Sequence, residues 1–386
     1  MSGGASVGIV GLGTIGRQEF ALWRAGGFDV VGYDISPSSL AATQRQSGDD
    51  AASAPRLTAD VGPLRTRDVL VLCLPTATFQ NQTSVEAFDQ FAKVFGAVSS
   101  DQIVIIASSV PIGFSRQFAK QISASRIVHA PERFDPGRGL ELRSIPRVLG
   151  GNVLDARDKA AGLYAALGVV THLVASLEIA EASKILENTF RLVNIAFASE
   201  FAAICERLGV SAGAVIDAAA SKPFGFMAHY PGTGAGGTCI PIVPRLLLAA
   251  AKAEGVDAPI LEASVRSNDE LADRIAGRVS EMVGRRLALD LLVVGATYKA
   301  DYPDSRGSSA LRLVVRLSQE HHVSVLDQLI DERDIPTGVT LHRSLPTQKF
   351  DAVVIAVAHR GIRDLPFEAV APLVLDLPRG EVVRSP

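Results

Sequence analysis

The chain reads as an α/β protein with two doubly wound domains joined by a helical middle domain that contains a long central helix. Three observations predict this. A strand, a glycine turn, a helix, a second strand and a terminal acid follow one another from Val7 to Asp34. The same strand–loop–helix rhythm returns from Leu289. Between the two, apolar residues recur at helical spacing without strand alternation. The expected domains are 1–173, 174–284 and 285–386.

Val7 to Val10 is a short apolar strand, and Gly11-Leu12-Gly13-Thr14-Ile15-Gly16 follows it. A helix is expected from Arg17 to Ala25, then a strand from Asp29 to Tyr33 that ends in Asp34. This is the dinucleotide fingerprint in its proper setting, and it predicts a Rossmann-like domain. Gly11 permits the tight turn, Gly13 lets a pyrophosphate approach the backbone, and Gly16 lets the helix pack on the strand. The N-terminus of the helix offers N–H donors and a positive dipole end to phosphate, and Thr14 and Ile15 inside the glycine turn are expected at the cofactor. Asp34 stands where a carboxylate accepts from ribose hydroxyls and repels a 2′-phosphate, which favours NAD over NADP. Further strands are expected at Asp68–Leu74, Gln102–Ala107 and Ile127–Ala130. They end at Pro75-Thr76, Ser108-Ser109-Val110-Pro111 and Pro131-Glu132-Arg133. Open parallel sheets bind ligands beyond the carboxyl ends of their strands. One polar residue there is an ordinary loop start; Thr76, Ser109 and Glu132 along one edge point to a site.

Ser176 to Leu208 reads as one long helix, with Lys184, Asn188 and Arg191 on one face. The plainer reading is a solvated face on which Glu181 or Glu187 pairs with Lys184. Helices are expected at Ser211–Ala220, Arg245–Glu254 and Ile260–Val283. Strands follow at Leu289–Val294, Val323–Leu326, Ala352–Val357 and Val374–Leu375, closed by Gly295, Asp327, His359 and Asp376. Asp304 to Ser309 opens a helix reaching about Gln319. Lys299 lies at a strand end and Arg306 at a helix start, as a phosphate requires. Two nucleotide-type domains imply two nucleotides, a cofactor and a nucleotide-linked substrate.

The 386 residues are 47% hydrophobic and 20% charged, an ordinary globular balance with ample core. The net charge of −3 gives no electrostatic case for nucleic acid or an anionic membrane. No apolar run is long enough to span a bilayer, and the N-terminus lacks the pattern of a signal peptide. Three widely spaced cysteines, Cys73, Cys205 and Cys239, argue against a disulfide framework or a metal site and fit a reducing cytoplasm. The pair His321-His322 has no clustered partners and reads as exposed polar residues, not ligands.

The densest chemical signal is Pro231-Gly232-Thr233-Gly234-Ala235-Gly236-Gly237-Thr238-Cys239-Ile240-Pro241. Its glycines suit a loop whose backbone a ligand approaches closely. Cysteine is well suited to attack a carbonyl carbon and hold the adduct. Taken alone, the loop reads first as a flexible turn before a small buried residue, and the rest of the chain reverses that reading.

In order along nearly the whole chain, these motifs resemble the UDP-glucose/GDP-mannose dehydrogenase family. They comprise the fingerprint with Asp34, Pro75-Thr76, Ser108 to Pro111, Pro131-Glu132-Arg133, Lys184 to Arg191, Gly232 to Pro241, Tyr298-Lys299 and Asp304 to Ser309. Glu187 to Arg191, with Pro131 to Arg133 and Pro136-Gly137, looks most like the branch acting on UDP-N-acetylhexosamines, especially UDP-N-acetylmannosamine. The resemblance implies oxidation of a sugar C6 alcohol to a uronic acid, as in polysaccharide precursors, by two hydride transfers to NAD. It makes Cys239 the nucleophile, Lys184 and Asn188 the holders of the oxyanion or a water, and Glu132 the acid/base. Ser109 keeps a hydroxyl where threonine is usual. Arg133, Phe134, Arg191, Gly232, Gly236, Gly237, Tyr298 and Lys299 would contact substrate, and Pro75, Thr76 and Arg306 the cofactor. The long helix would form a homodimer interface.

One departure stands out. The family places aspartate four residues after the cysteine, where this chain has Val243. Loss of that carboxylate removes an acceptor beside the lysine and the hydrolytic water. Three readings follow: a complete dehydrogenase in which another group replaces the aspartate; an altered enzyme with tightly held NAD that stops at the aldehyde or is redox-neutral, like an epimerase; or a nucleotide-sugar-binding protein without catalysis.

Overall fold

The computed structural model describes residues 4–47, 56–79, 82–135 and 140–384. Two compact units emerge, Met1–Glu187 with Ala249–Gly255, and Asn188–Leu248 with Val256–Pro386.

The first unit is built on an eight-stranded sheet. Its strands are β1 (Ser6–Val10), β2 (Asp29–Tyr33), β3 (Arg56–Thr58) and β4 (Val69–Leu72). After a small antiparallel hairpin, β5 (Ala77–Phe79) and β6 (Gln82–Ser84), come β7 (Ile103–Ile106), β8 (Ile127–His129), β9 (Arg147–Gly151) and β10 (Thr171–Leu173). The order across the sheet is β10-β9-β8-β7-β4-β1-β2-β3, parallel except where β8 meets β9. Val69-Leu70-Val71-Leu72 is apolar throughout because both faces are covered. Val69 and Val71 face α1 (Thr14–Ala25) and α5 (Leu154–Ala166) through Phe20, Trp23 and Tyr164. Leu70 and Leu72 face α3 (Glu86–Phe95) and α4 (Phe114–Gln121) through Phe88, Phe91, Phe95 and Phe118. A further helix, α2 (Pro37–Ser47), follows β2.

The second unit carries a six-stranded sheet of β11 (Asp290–Val294), β12 (His322–Leu326), β13 (Thr340–His342), β14 (Ala352–Ile355), β15 (Leu373–Asp376) and β16 (Glu381–Arg384). The order is β13-β12-β11-β14-β15-β16, with only the β15–β16 pair antiparallel. The middle of the chain is helical: α6 (Leu177–Arg207), α7 (Ala212–Ala220), α8 (Val243–Ala253), α9 (Pro259–Asp269) and α10 (Leu271–Met282). α10 joins the sheet's own core, where Leu271, Ile275 and Val279 pack with Leu291, Val293 and Leu313 of α11 (Ser309–Ser318).

The two doubly wound sheets and the 31-residue α6 match expectation. Several details differ. The stretch Ile260–Val283 is two helices broken at Glu270, because apolar spacing continues across a change of direction. α1 begins at Thr14, three residues earlier than expected, and α11 begins only at Ser309, where Ser308 caps it by accepting from Leu311 N. Strands β3, β9, β10, β13 and β16 carried too few residues of clear alternation to be expected. His321 is buried with Nδ1 unpartnered and only His322 is exposed, which corrects the reading of both as exposed. Pro136-Gly137 lies outside the described residues.

Candidate active site

At the first sheet's carboxyl edge, β1 runs into the glycine turn. Gly11 has φ +86, and a Cβ there would lie 2.8 Å from the Cys73 carbonyl oxygen. A Cβ on Gly16 would lie 1.7 Å from the Gly11 carbonyl oxygen, so only glycine lets α1 sit this close to β1. Gly13 is exposed and a Cβ there meets nothing within 4 Å. Its backbone is therefore bare on the side that precedes α1, whose first-turn amides have no partner within the helix. Asp34 accepts from Leu12 N at 2.6 Å and Ser36 N at 2.8 Å. These bonds aim the carboxylate while leaving it half-buried, with lone pairs to spare. The cradle fits a dinucleotide with an unmodified ribose. Further along the edge, Thr76 Oγ1 donates to Ser109 O at 2.8 Å, tying two of the expected cofactor positions together beside the exposed Pro75.

Glu132 follows β8 and is buried. Its Oε1 accepts from Arg133 N and Phe134 N, both at 2.7 Å, and its Oε2 accepts from Arg147. Arg147 opens β9 and is itself buried. Its other nitrogen, Nη1, reaches Glu19 Oε1 at 2.7 Å. Burial pushes Glu19 up to about 7, against the attraction of Arg147 and with the like charge of Glu132 adding. The Arg133 side chain bonds Glu187 at 2.6 Å and Pro146 O at 2.9 Å. Glu187 is thus engaged by Arg133. Glu181 accepts from Gly113 N and from Ser115 N at 2.7 Å, satisfying the N-terminus of α4. Both acids on α6 that could have been spent on a solvated helix face are thereby given other work.

Lys184, Asn188 and Arg191 all lie on α6, at steps of four and three. Lys184 and Asn188 are buried, and Arg191 is half-buried. Asn188 Nδ2 is enclosed and donates to no group of the described chain. A buried amide donor without a partner costs about 1–3 kcal/mol, so its retention points to a ligand or water oxygen.

The glycine-rich loop is more tightly bound than a sequence of glycines suggests. Asn268 accepts from Ala235 N at 2.7 Å and donates to Ala235 O at 3.3 Å. A Cβ on Gly234 would lie 2.8 Å from Asn268 Oδ1, and one on Gly237 would lie 3.1 Å from the Tyr298 ring. A Cβ on Gly236 would meet Tyr298 and Gly307 at 3.1 Å. These glycines exist for close approach of the protein to itself; Gly232 alone of the loop glycines leaves open space. Thr233 and Ser309 share a hydroxyl hydrogen bond of 2.8 Å, and Ser309 donates to Gly234 O. From this fixed loop Cys239 projects an exposed thiol, just before α8, and Cys239 O accepts from Val243 N at 2.8 Å. Val243, at the position expected to hold aspartate, is buried.

At the edge of the second sheet, Lys299 and Tyr298 lie in the segment between β11 and α11. Arg306 belongs to the turn before α11, not to the helix start, and its exposed guanidinium pairs with Asp304 at 2.6 Å. Asp327 is fully buried and accepts from Ala296 N, Leu329 N, Ile330 N and His359 Nε2. His359 Nδ1 in turn accepts from Asp301 N at 2.9 Å, which fixes the tautomer with the proton on Nε2. The pair braces the loop that carries Lys299.

Sequence reasoning missed Arg147, Glu19, Asn268 and the Asp327–His359 brace. Glu19 left a signal, an acid on the apolar face of α1 beside Phe20 and one turn before Trp23. Arg147 left another, a charge opening an apolar run.

Three models of the UDP-glucose/GDP-mannose dehydrogenase family match in order: the NAD binding domain over residues 5–168, the central domain over 178–270, and the UDP binding domain over 292–384. A UDP-N-acetyl-D-glucosamine 6-dehydrogenase from Pseudomonas aeruginosa is 29% identical over 95% of this chain and 93% of its own. A UDP-N-acetyl-D-mannosamine dehydrogenase from Pyrococcus horikoshii is 28% identical over 94% of this chain and 92% of its own. A solved structure of the UDP-D-ManNAc dehydrogenase from Pyrococcus horikoshii superposes with a TM-score of 0.85, at 25% identity, covering 99% of this chain and 96% of that one. With a cofactor cradle, a thiol loop and a second nucleotide-type sheet in the order of all three domain models, the chain belongs to the UDP-glucose/GDP-mannose dehydrogenase family.

Proposed function

We propose that the protein oxidises the C6 alcohol of a UDP-sugar to the uronic acid through a covalent adduct on Cys239, with a UDP-N-acetylhexosamine as substrate. The observation that carries this is the setting of Cys239. Of the three cysteines it is the exposed one, on a loop held rigid by Asn268 and Tyr298. Three stretches divide the work: 1–173 for cofactor, 174–284 for the thiol and 285–386 for the nucleotide.

NAD, when bound, accepts the hydride at each of the two oxidations. The chain's own residues do the rest. Cys239 Sγ adds to the C6 aldehyde, forming a C–S bond and a thiohemiacetal, so the reactive aldehyde is not released. After the second oxidation the adduct is a thioester. Lys184 and the unpartnered amide of Asn188 hold the oxygen that gains charge at each addition. Water then attacks the thioester carbon, Glu132 takes its proton, and the C–S bond breaks to return the thiolate. Ser109 and Thr76 line the cofactor edge with Pro75, and Arg306 serves the cofactor. Arg133, Phe134, Arg191, Gly232, Gly236, Gly237, Tyr298 and Lys299 serve the nucleotide sugar.

The exposed apolar residues Leu186, Phe190, Phe197 and Ile204 along α6 support a homodimer. No helix among the described residues is long and apolar enough to cross a membrane. The absence of any disulfide among the three thiols accords with work in the cytoplasm.

A second reading is favoured by one observation, the buried apolar Val243 where the family resemblance calls for a carboxylate. On this reading the thioester is not hydrolysed, and the enzyme stops early or ends redox-neutral. NADH formed per sugar consumed separates the two readings. With NAD and a panel of UDP-sugars, two NADH and a uronic acid are expected. One or none, with an aldehyde or an isomer, establishes the second reading. Cys239→Ser is expected to abolish acid formation, and acid at the wild-type rate in that variant excludes the covalent route.

A further inference from the structure

We infer that Glu19, Arg147 and Glu132 form one shared-charge unit behind the candidate site, in which Arg147 positions Glu132 and the proton on Glu19 sets the charge that Glu132 works against. The catalytic part of this rests on the role proposed for Glu132; the coupling among the three groups does not.

The geometry is closed on every side. Arg147 lies 3% exposed between two carboxylates, in ion-pair contact with Glu19 Oε1 through Nη1 at 2.7 Å and hydrogen-bonded to Glu132 through Nη2. Its guanidinium carbon stands 5.0 Å from the centre of the Tyr164 ring, and Nη1 also reaches the Tyr164 hydroxyl and Ala130 O at 3.4 Å. Glu19 Oε2 accepts from Trp23 Nε1 at 3.0 Å. Glu132 Oε1 holds two backbone N–H groups. The charged or titratable groups facing the unit are therefore Tyr164 from α5 and the Cys73 thiol beyond β4, both pushed up by burial and neutral at pH 7.

One positive charge serves two acids. With both ionised the buried unit carries a net negative charge, which burial disfavours. The two acids are unequally supported. Glu132 has two backbone donors besides Arg147, whereas Glu19 has one indole donor. Glu19 is thus the acid that takes up the proton near neutrality, in line with its displacement to about 7. With Glu19 protonated, Arg147 is committed to Glu132. With Glu19 ionised, Arg147 is shared between the two acids. An ionisation that touches no substrate then governs a group that would.

Trp23 makes this measurable without substrate. It is the only tryptophan in the chain, and its indole bonds the acid in question. Its fluorescence is expected to titrate with a midpoint near 7 in the wild type and to be flat from pH 5.5 to 8.5 in Glu19→Gln. In Glu132→Gln the midpoint is expected to fall by roughly half a pH unit or more, because a like charge is gone. A titration that survives Glu19→Gln, or a midpoint that ignores Glu132→Gln, overturns the inference. Turnover with NAD and UDP-N-acetyl-D-mannosamine or UDP-N-acetyl-D-glucosamine supplies the second arm. The kcat limb near pH 7 is expected to vanish in Glu19→Gln with both KM values unchanged. Arg147→Met is expected to lose about 100-fold in kcat, the scale of a displaced catalytic group, and Arg147→Lys to recover part of it. A Lys variant no better than Met overturns the positioning role. Wild-type turnover in Glu132→Gln would refute the role proposed for Glu132, while the fluorescence coupling still decides the charge sharing.

Discussion

The acids that close the second strand of each sheet, Asp34 and Asp327, begin from the same geometry. Gly11 N bonds the last residue of β2 at 2.8 Å, and Gly295 N bonds the last residue of β12 at 2.8 Å. Leu12 N donates to Asp34 Oδ2 at 2.6 Å, and Ala296 N donates to Asp327 Oδ2 at 2.7 Å. Each acid then accepts from the amide two residues on. There the likeness ends. Beyond Gly11 the chain enters α1 almost at once, whereas beyond Gly295 residues 296–308 intervene before α11. Asp34 stays half-buried, while Asp327 is buried and capped by His359. One motif has been left as a binding edge, and its counterpart has been turned into a brace for a loop. A conserved-looking topology therefore does not fix what its terminal acid does; the length of the following loop decides it.

The sharpest way to break the comparison is to remove both acids. Asp327→Ala strands several buried amide donors and the His359 N–H, and is expected to cost about 3–5 kcal/mol in denaturant unfolding. Asp34→Ala is expected to leave stability within about 1 kcal/mol but to raise the Kd for NAD roughly 10–100-fold, read by titration. Equal losses of stability in the two variants would mean that Asp34 is also a structural acid.

The next contrast lies in pH. Burial acts to raise Asp327, yet hydrogen bonds from His359 and from the Ala296 and Leu329 amides hold it well below the usual carboxylate range. Its contribution is present above the unfolded pKa and is lost only as pH falls through the lower folded one. Glu19 behaves oppositely. Its folded pKa of about 7 exceeds the ordinary 4.5, so its contribution is full below 4.5 and is lost as pH rises through 7. Glu19→Gln is expected to match the wild type in stability at pH 4 and to exceed it by roughly 3 kcal/mol at pH 8. A difference that does not grow with pH would show that Glu19 is ionised throughout.

The smallest effect concerns the glycines. Gly13→Ala is expected to change stability by less than about 1 kcal/mol while weakening NAD, since its Cβ meets no protein atom. Gly16→Ala forces the Gly11 carbonyl aside and is expected to lower stability as well as NAD affinity. Thermal unfolding and NAD titration of both variants separate an open position from a packed one.

Much of this was legible in the sequence because its causes are local. Gly11 needs a positive φ and Gly16 a bare Cα, so the fingerprint announces itself within six residues. The apolar runs of β4 and β7 register burial on both faces. What stayed hidden depends on partners distant in sequence. Arg147 acquires meaning only from Glu19 and Glu132, and Asn268 only from Ala235. In the sequence the glycines around Cys239 suggest room for a ligand, whereas in the structure three of them are bare because Asn268, Tyr298 and Gly307 press against them.

That last contact reaches beyond the single molecule. Gly236 and Gly237 lie against Tyr298, and a Cβ on Gly307 would come within 2.6 Å of the Gly237 carbonyl oxygen. No one of these positions can drift alone. A larger residue at 236 or 237 is admissible only after the ring at 298 has shrunk, and a side chain at 307 only after the loop has moved. The segment bearing the thiol and the segment bearing Lys299 are therefore inherited as a set, and a lineage that remodels one of the two loops must remodel the other with it.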